Sequence, residues 1–412
     1  MMIRNRTVAN EPSACRSHRT RRTYRLLSWL CLLGFLLPFT SAFGAKVVLR
    51  PDGSGAFSTI QAAIDNANDG DIIELTPGTY TGDGNRDLDC LGKAITITAD
   101  GAERQAYIID CAGGDWDRAH RAFHFHSGEG SQTLISGLTI QHGRAPGDSL
   151  PEKRGGAVLC AGSSPTFRHC VFSLNRATLG GAIACIEGAS PTFQDCQLRD
   201  NTAAQGGAVF SHESTPRIVA CHISLNTADR GGGLACYASA AVIESSTLYR
   251  NSATGGGGVM LEAESAARIE DCLLCGNHAE LGGAIFGEYS APTISYCTLV
   301  ANSAGSGGGI NWISDRGLIL QNCIIAYSSQ GSAVICESDT GSALTCCLVY
   351  GNADGDWIDC LAGLETGSGN LHTPPQFINA GRGNFKLRPD SPCRAENSTC
   401  GQIGAQDPDL YR

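Results

Sequence analysis

Past residue 39 this 412-residue chain has no second long apolar run, and from there on it is short of positive charge. A membrane-crossing helix needs about 20 apolar residues, so nothing in the body of the chain is suited to span a bilayer. The charge deficit excludes more. The whole sequence carries −10, and seven arginines and one glutamate precede Lys46, which leaves about −16 on the remainder. Nucleic acid and other polyanions are therefore poor partners, because phosphate recognition depends on clustered Lys and Arg. Neutral glycans, basic protein surfaces and calcium-bridged anions stay open. The apolar run that does exist, Leu26 to Phe39, is short and follows the arginine-rich stretch. That order describes a signal peptide, cleaved after Gly44 or, alternatively, after Ala42. The expected mature chain is exported to the extracellular space, cell surface or periplasm and has no transmembrane segment.

What the chain does contain is a repeat. Asn175, Asn201, Asn226, Asn251, Asn277, Asn302 and, after one missed rung, Asn352 recur every 25 or 26 residues. Gly-Gly pairs at 155/156, 180/181, 206/207, 231/232, 256/257, 282/283 and 307/308 keep step. A period in this range marks stacked units too small to bury their own apolar faces. Aligning the units exposes three apolar columns. One holds Phe167, Phe193, Ile218, Ile243, Ile269, Ile294, Leu320 and Leu344. Another holds Phe172, Leu198, Ile223, Leu248, Leu274, Leu299, Ile325 and Val349. The third follows the glycines: Val158, Ile183, Val209, Leu234, Val259, Ile285 and Ile310. Three short strands per turn satisfy this pattern.

Two solenoids compete. Phe167-x-x-Cys170-x-Phe172-x-x-Asn175 also fits the leucine-rich repeat, but Ala stands where that repeat needs a large apolar residue two places past Asn. The return path, Gly-Gly, a strand, then a Gly or Pro turn, also suits strands better than helices. The expected fold is all-β, a right-handed parallel β-helix. Ile60, Ala63, Ile64 and Ala67 at helical spacing predict a short capping helix over 58–67. The organisation read from the sequence is leader 1–44, N-terminal cap and irregular coils 45–154, regular coils 155–360, and C-terminal cap 361–412.

The elements GGAV, GGAI and GGGL, paired with FSLN, LRDN, ISLN, LYRN and LVAN, resemble the repeat of chlamydial polymorphic outer membrane proteins. The chain as a whole resembles secreted bacterial right-handed β-helix proteins, and Asp52 to Ile64 is similar to the opening of pectin-lyase-like domains, pectin methylesterases included. That resemblance implies a pectin-lyase-like fold; it does not imply an activity, because enzymes, adhesins and structural proteins share it. After Pro77-Gly78-Thr79-Tyr80 the esterase family continues with a glutamate, where this chain has Thr81-Gly82.

Candidate sites are few. Cys170, Cys196, Cys221, Cys272, Cys297, Cys323 and Cys347 stack, with Ser246 interrupting; Cys160, Cys185, Cys236 and Cys336 form a second column. They read as buried thiols acting as small hydrophobes, or as disulfides in an oxidising compartment. Cys393 and Cys400, outside the columns, are the expected bridge. His124 and His126, with His120 and Glu129 nearby, offer zinc ligand types. Asp83, Asp87 and Asp89 offer a weak calcium site, calcium being the one cofactor suggested. The outward positions Leu159, Ala184, Phe210, Ala235, Met260, Phe286 and Asn311, flanked by His212, Tyr237, Glu262 and Glu288, form an apolar and aromatic stripe. Such a stripe is either a binding surface centred on Phe210, Tyr237, Met260 and Phe286, or core covered by a loop such as 141–154. No catalytic residue is identified. Two functions fit: a binding or structural surface module, adhesin-like or glycan-binding, whose partner is a glycan or a cell-surface protein; and a polysaccharide-active lyase, esterase or hydrolase.

Overall fold

The computed structural model describes residues 44–99, 101, 103–111, 119–145, 153–337 and 341–406. The expected signal peptide, Gly44 excepted, and the central part of the 141–154 loop lie outside them. Each turn of chain contributes one strand to each of three parallel sheets of nine, twelve and eleven strands. The first sheet collects the strands that follow Gly-Gly, such as Val209–His212, Leu234–Tyr237 and Val259–Glu262. The second collects strands such as Thr192–Gln194 and Arg217–Val219, and the third strands such as Gln197–Arg199 and His222–Ser224. The three apolar columns point inward and are buried along their whole length. Like stacks on like: the Phe167 and Phe193 rings lie 5.2 Å apart, nearly parallel. The leucine-rich alternative is thereby set aside, since the return path is itself a strand. The predicted cap is present as the helix Ile60–Asn66, with the Thr59 hydroxyl accepting from Ala62 N at 3.2 Å and Ile60, Ala63 and Ile64 buried.

Tight coils need sharp corners, and two of them recur at non-glycine residues with positive φ. Leu174, Asp200 and Leu225 each have φ 58° before the Asn column, and Asp195 and Ala220 have φ 53° before the Cys column. Such residues cost about 1 to 2 kcal/mol each. Hydrogen bonds just beyond the corners offset this. Asn201 Nδ2 donates to Asn226 Oδ1 at 2.9 Å, and Asn226 Nδ2 donates likewise to Asn251 at 2.9 Å and to Leu198 O at 2.9 Å. Asn226 Oδ1 also accepts the backbone N–H of Asn201 at 3.0 Å. Each amide thus serves backbone groups that the corner would leave unpaired. Ser328 breaks the series, and its N–H reaches Asn352 Oδ1 at 3.0 Å.

The cysteine column is a second ladder of the same kind. Cys221 Sγ donates to Phe193 O of the preceding coil at 3.4 Å; Ser246 Oγ makes the equivalent bond to Ile218 O at 3.4 Å and accepts Cys221 N at 3.0 Å. At the column's end Asn370 Oδ1 accepts Cys347 N at 2.9 Å. Cys, Ser and Asn interchange here because each can donate to a carbonyl and accept an N–H. In the other column, burial pushes the Cys236 thiol up to about 12. Of the cysteines past residue 43, fourteen are free and buried. A mature chain denatured without reductant should accordingly titrate fourteen thiols by a thiol-reactive chromophore, and a count near zero would reassign the columns as covalent.

The bridges are Cys336–Cys360 and Cys346–Cys400. This corrects the expected Cys393–Cys400 pair. The tail folds back along the third sheet, its Ala405 N donating to Thr298 Oγ1 at 3.0 Å and Gln406 N to Asp271 Oδ1 at 2.6 Å. That path lays Cys400 on the corner residue Cys346. Cys393 instead turns into an apolar cluster with Ile324, Ala326, Leu348, Leu387 and Ile403 and stays a thiol.

Candidate functional site

Period-two alternation places Phe210, Ala235, Met260 and Phe286 on the outer side of the first sheet, yet they are not available to a ligand. Phe210 is 5% exposed, Met260 1% and Phe286 4%, and together with Leu159, Ala184, Ile186 and Ala235 they form a second apolar cluster outside the coil's main core. The expected binding stripe is corrected on this point. Leu179, Tyr237 and Ile313 pack against it, and the chain's own Gly-Gly corner lies close by: a Cβ on Gly231 would lie 2.9 Å from Ala235 Cβ, and one on Gly282 2.9 Å from Phe286 Cα. Only glycine lets the corner lie this close.

Two residues further along each strand the outer side opens. Parallel pairing in register sets His212 beside Tyr237 and Tyr237 beside Glu262, and Glu288 follows on the next rung. The Tyr237 ring leans on Phe210, with centroids 5.6 Å apart. Arg230 reaches these groups from another column. The residues just before Gly-Gly form their own ladder, Leu179, Gln205, Arg230, Gly255 and Leu281. Gly255, on the rung beyond Arg230, puts no side chain in the way, and the guanidinium crosses to Glu262 and to Glu288, the latter at 3.9 Å. Burial, ahead of the neighbouring Glu288, raises the Glu262 pKa above the usual carboxylate range against the pull of Tyr237 and Arg230. Burial, then the nearness of Glu262, raises the Tyr237 hydroxyl as well. That hydroxyl is shut off from water and faces the Glu262 carboxylate. A buried carboxylate, a second carboxylate, a cation and a buried hydroxyl therefore converge on one edge. Chemically the set can bind polar groups and hold or pass a proton.

The N-terminal candidates are brought close but not into one ligand set. His120 Nδ1 lies 2.5 Å from Asp87, and His126 Nε2 lies 3.3 Å from Asp89. Asp83 instead meets Arg86 at 3.2 Å. The His124 and His126 rings are 4.3 Å apart, and burial followed by the charge of Arg121 lowers His124 to about 4. Glu129 faces inward, accepting from Gly92 N, Ser127 N and Ser163 Oγ within 3.0 Å. The carboxylates proposed for calcium are thus spent on separate partners. Among the described residues no group of three or more His, Cys, Asp or Glu could hold a metal ion.

Arg230 was absent from the residues read as functional. The signal was present in the column preceding Gly-Gly, which only a reading of polar as well as apolar columns would have shown.

Comparison with known proteins agrees with this architecture. A family model described as a right-handed beta helix region matches residues 122–290 and 202–325. No curated protein matches the sequence. Among solved structures, pectate lyase Pel9A superposes with a TM-score of 0.51 at 15% identity, covering 89% of this chain and 97% of that one. The PL6 family alginate lyase AlyGC superposes with a TM-score of 0.44 at 11% identity, over 89% of this chain and 58% of the lyase. At 15% identity the likeness to Pel9A shows the fold alone. No helix among the described residues is long and apolar enough to cross a membrane. The stacked coils, the matched family model and the Pel9A superposition together make this chain a right-handed parallel β-helix repeat protein of pectin-lyase-like fold.

Proposed function

We propose that this β-helix engages a glycan along the polar edge of its first sheet, at Arg230, Tyr237, Glu262 and Glu288. The observation that carries the reading is the convergence on one edge of the Tyr237 hydroxyl, two carboxylates and a guanidinium. A strip of hydroxyl, carboxylate and guanidinium groups offers a ligand both donors and acceptors. Sugar rings supply both the hydroxyls for such groups and apolar faces for aromatic rings. Tyr289, exposed at the corner after Glu288, adds a second ring within the same strip.

The test is a glycan array probed with the mature chain, run beside assays for reducing ends and for unsaturated products. Pectate, the ligand class in the name of Pel9A, belongs among the first polymers tried. Tyr237→Ala should weaken the array hit by about 2 kcal/mol, roughly thirtyfold, with the fold retained. Full binding by that variant would remove the site. A second reading, turnover, is favoured by Glu262, whose raised pKa suits a proton donor. Product formation that is lost in Glu262→Gln would promote it.

A further inference from the structure

The charge around this edge is lopsided. Besides Glu262 and Glu288, the neighbouring corners carry Glu187, Glu213 and Glu264, all with positive φ, and Asp229 precedes Arg230 in the chain. Arg230 is the one cation described in contact with the carboxylate pair. A polyuronate laid here would meet like charges. Among the described residues there is also no metal-ion group to bridge them.

Arg230 is also the member of the set that can leave. Its side chain is 42% exposed, against 9% for Glu262. Glu262 and Glu288 belong to strands that form the rigid wall, whereas the arginine is a long stem crossing a glycine rung. A charged carboxylate this buried needs a cation beside it. The guanidinium therefore occupies a cation seat between two carboxylates, and a cation delivered by a ligand could fill the same seat.

We propose that the glycan recognised here carries protonated amines, an amino-sugar polymer, one ammonium of which takes the seat of the Arg230 guanidinium between Glu262 and Glu288. This rests on the glycan reading above and narrows it to one chemical class. It also gives Arg230 the role of an internal competitor, and that role predicts the sign of a mutation.

The experiment is calorimetric titration of the mature chain with β-linked glucosamine oligomers, with the same oligomers N-acetylated, and with galacturonate oligomers. The amine form should bind at least tenfold more tightly than the acetylated form, and added salt should weaken it. Glu262→Gln should lose about tenfold. Arg230→Ala should gain several-fold, because the seat is vacated; Arg230→Gln, which keeps the stem, should gain as well if the alanine variant is poorly folded. Equal binding of amine and acetylated oligomers would overturn the amine seat and leave the glycan reading standing. Preference for galacturonate, lost in both Arg230 variants, would mark Arg230 as an anion receptor and overturn it too. No binding by any of these oligomers would overturn the amine seat, whereas an empty glycan array would sink the glycan reading itself.

Discussion

Alanine at Gly207 should cost about 4 to 5 kcal/mol, in the range where one substitution can abolish folding. The second glycine of each pair lies on the next coil. A Cβ at Gly207 would stand 2.2 Å from Gly232 O and 2.9 Å from Thr227 N and O. All three are backbone atoms, so no rotamer relieves the contact, and the coils must part where Gly207 N donates to Gly231 O at 3.0 Å. The expected readout is a melting temperature lower by about 10 °C or more, at roughly 2 to 4 °C per kcal/mol for a domain of this class. Ala204→Ser, at a half-exposed position nearby, should change it little. A Gly207→Ala variant melting like the parent would mean the coils are not packed this closely.

The second large effect is expected at Asn226. Alanine there removes the acceptor for Asn201 N and Asn201 Nδ2 and the donor to Leu198 O and Asn251 Oδ1. Each buried group left unpaired costs about 1 to 3 kcal/mol, partly recovered by relaxation, so a loss of about 3 kcal/mol in denaturant unfolding is expected. Asn226→Ser should be milder, since Ser328 holds the same column natively. A ladder residue that could be deleted without loss would have no part in holding the corners.

These two positions also show what was readable in advance. Inward columns could be read because a core of stacked coils demands the same class of side chain at every turn, and the Asn and Gly-Gly columns because corners demand the same geometry. Phe210, Met260 and Phe286 were misplaced for a physical reason. Alternation tells which side of a strand a residue faces, but not whether the chain's own corner lies against that side. The invariant glycines were the missing clue, since a position that cannot bear a Cβ has something packed upon it. Arg230 escaped because it acts across rungs, reaching past Gly255 to partners on later coils. The bridges escaped because the return path of the tail, which brings Cys400 to Cys346, is written in no period.

The positions of those bridges impose an order of events on a chain that emerges from its amino end. Cys336, Cys346, Cys360 and Cys400 come after twelve of the fourteen free cysteines. By the time the first bridging sulfur appears, the earlier coils are complete enough to stack and to enclose their thiols. If those coils stack first, an oxidant meets the four bridging sulfurs with only Cys347 and Cys393 as late competitors. A solenoid that winds from one end thus guards a cysteine-rich sequence against mispairing through the timing of its own synthesis.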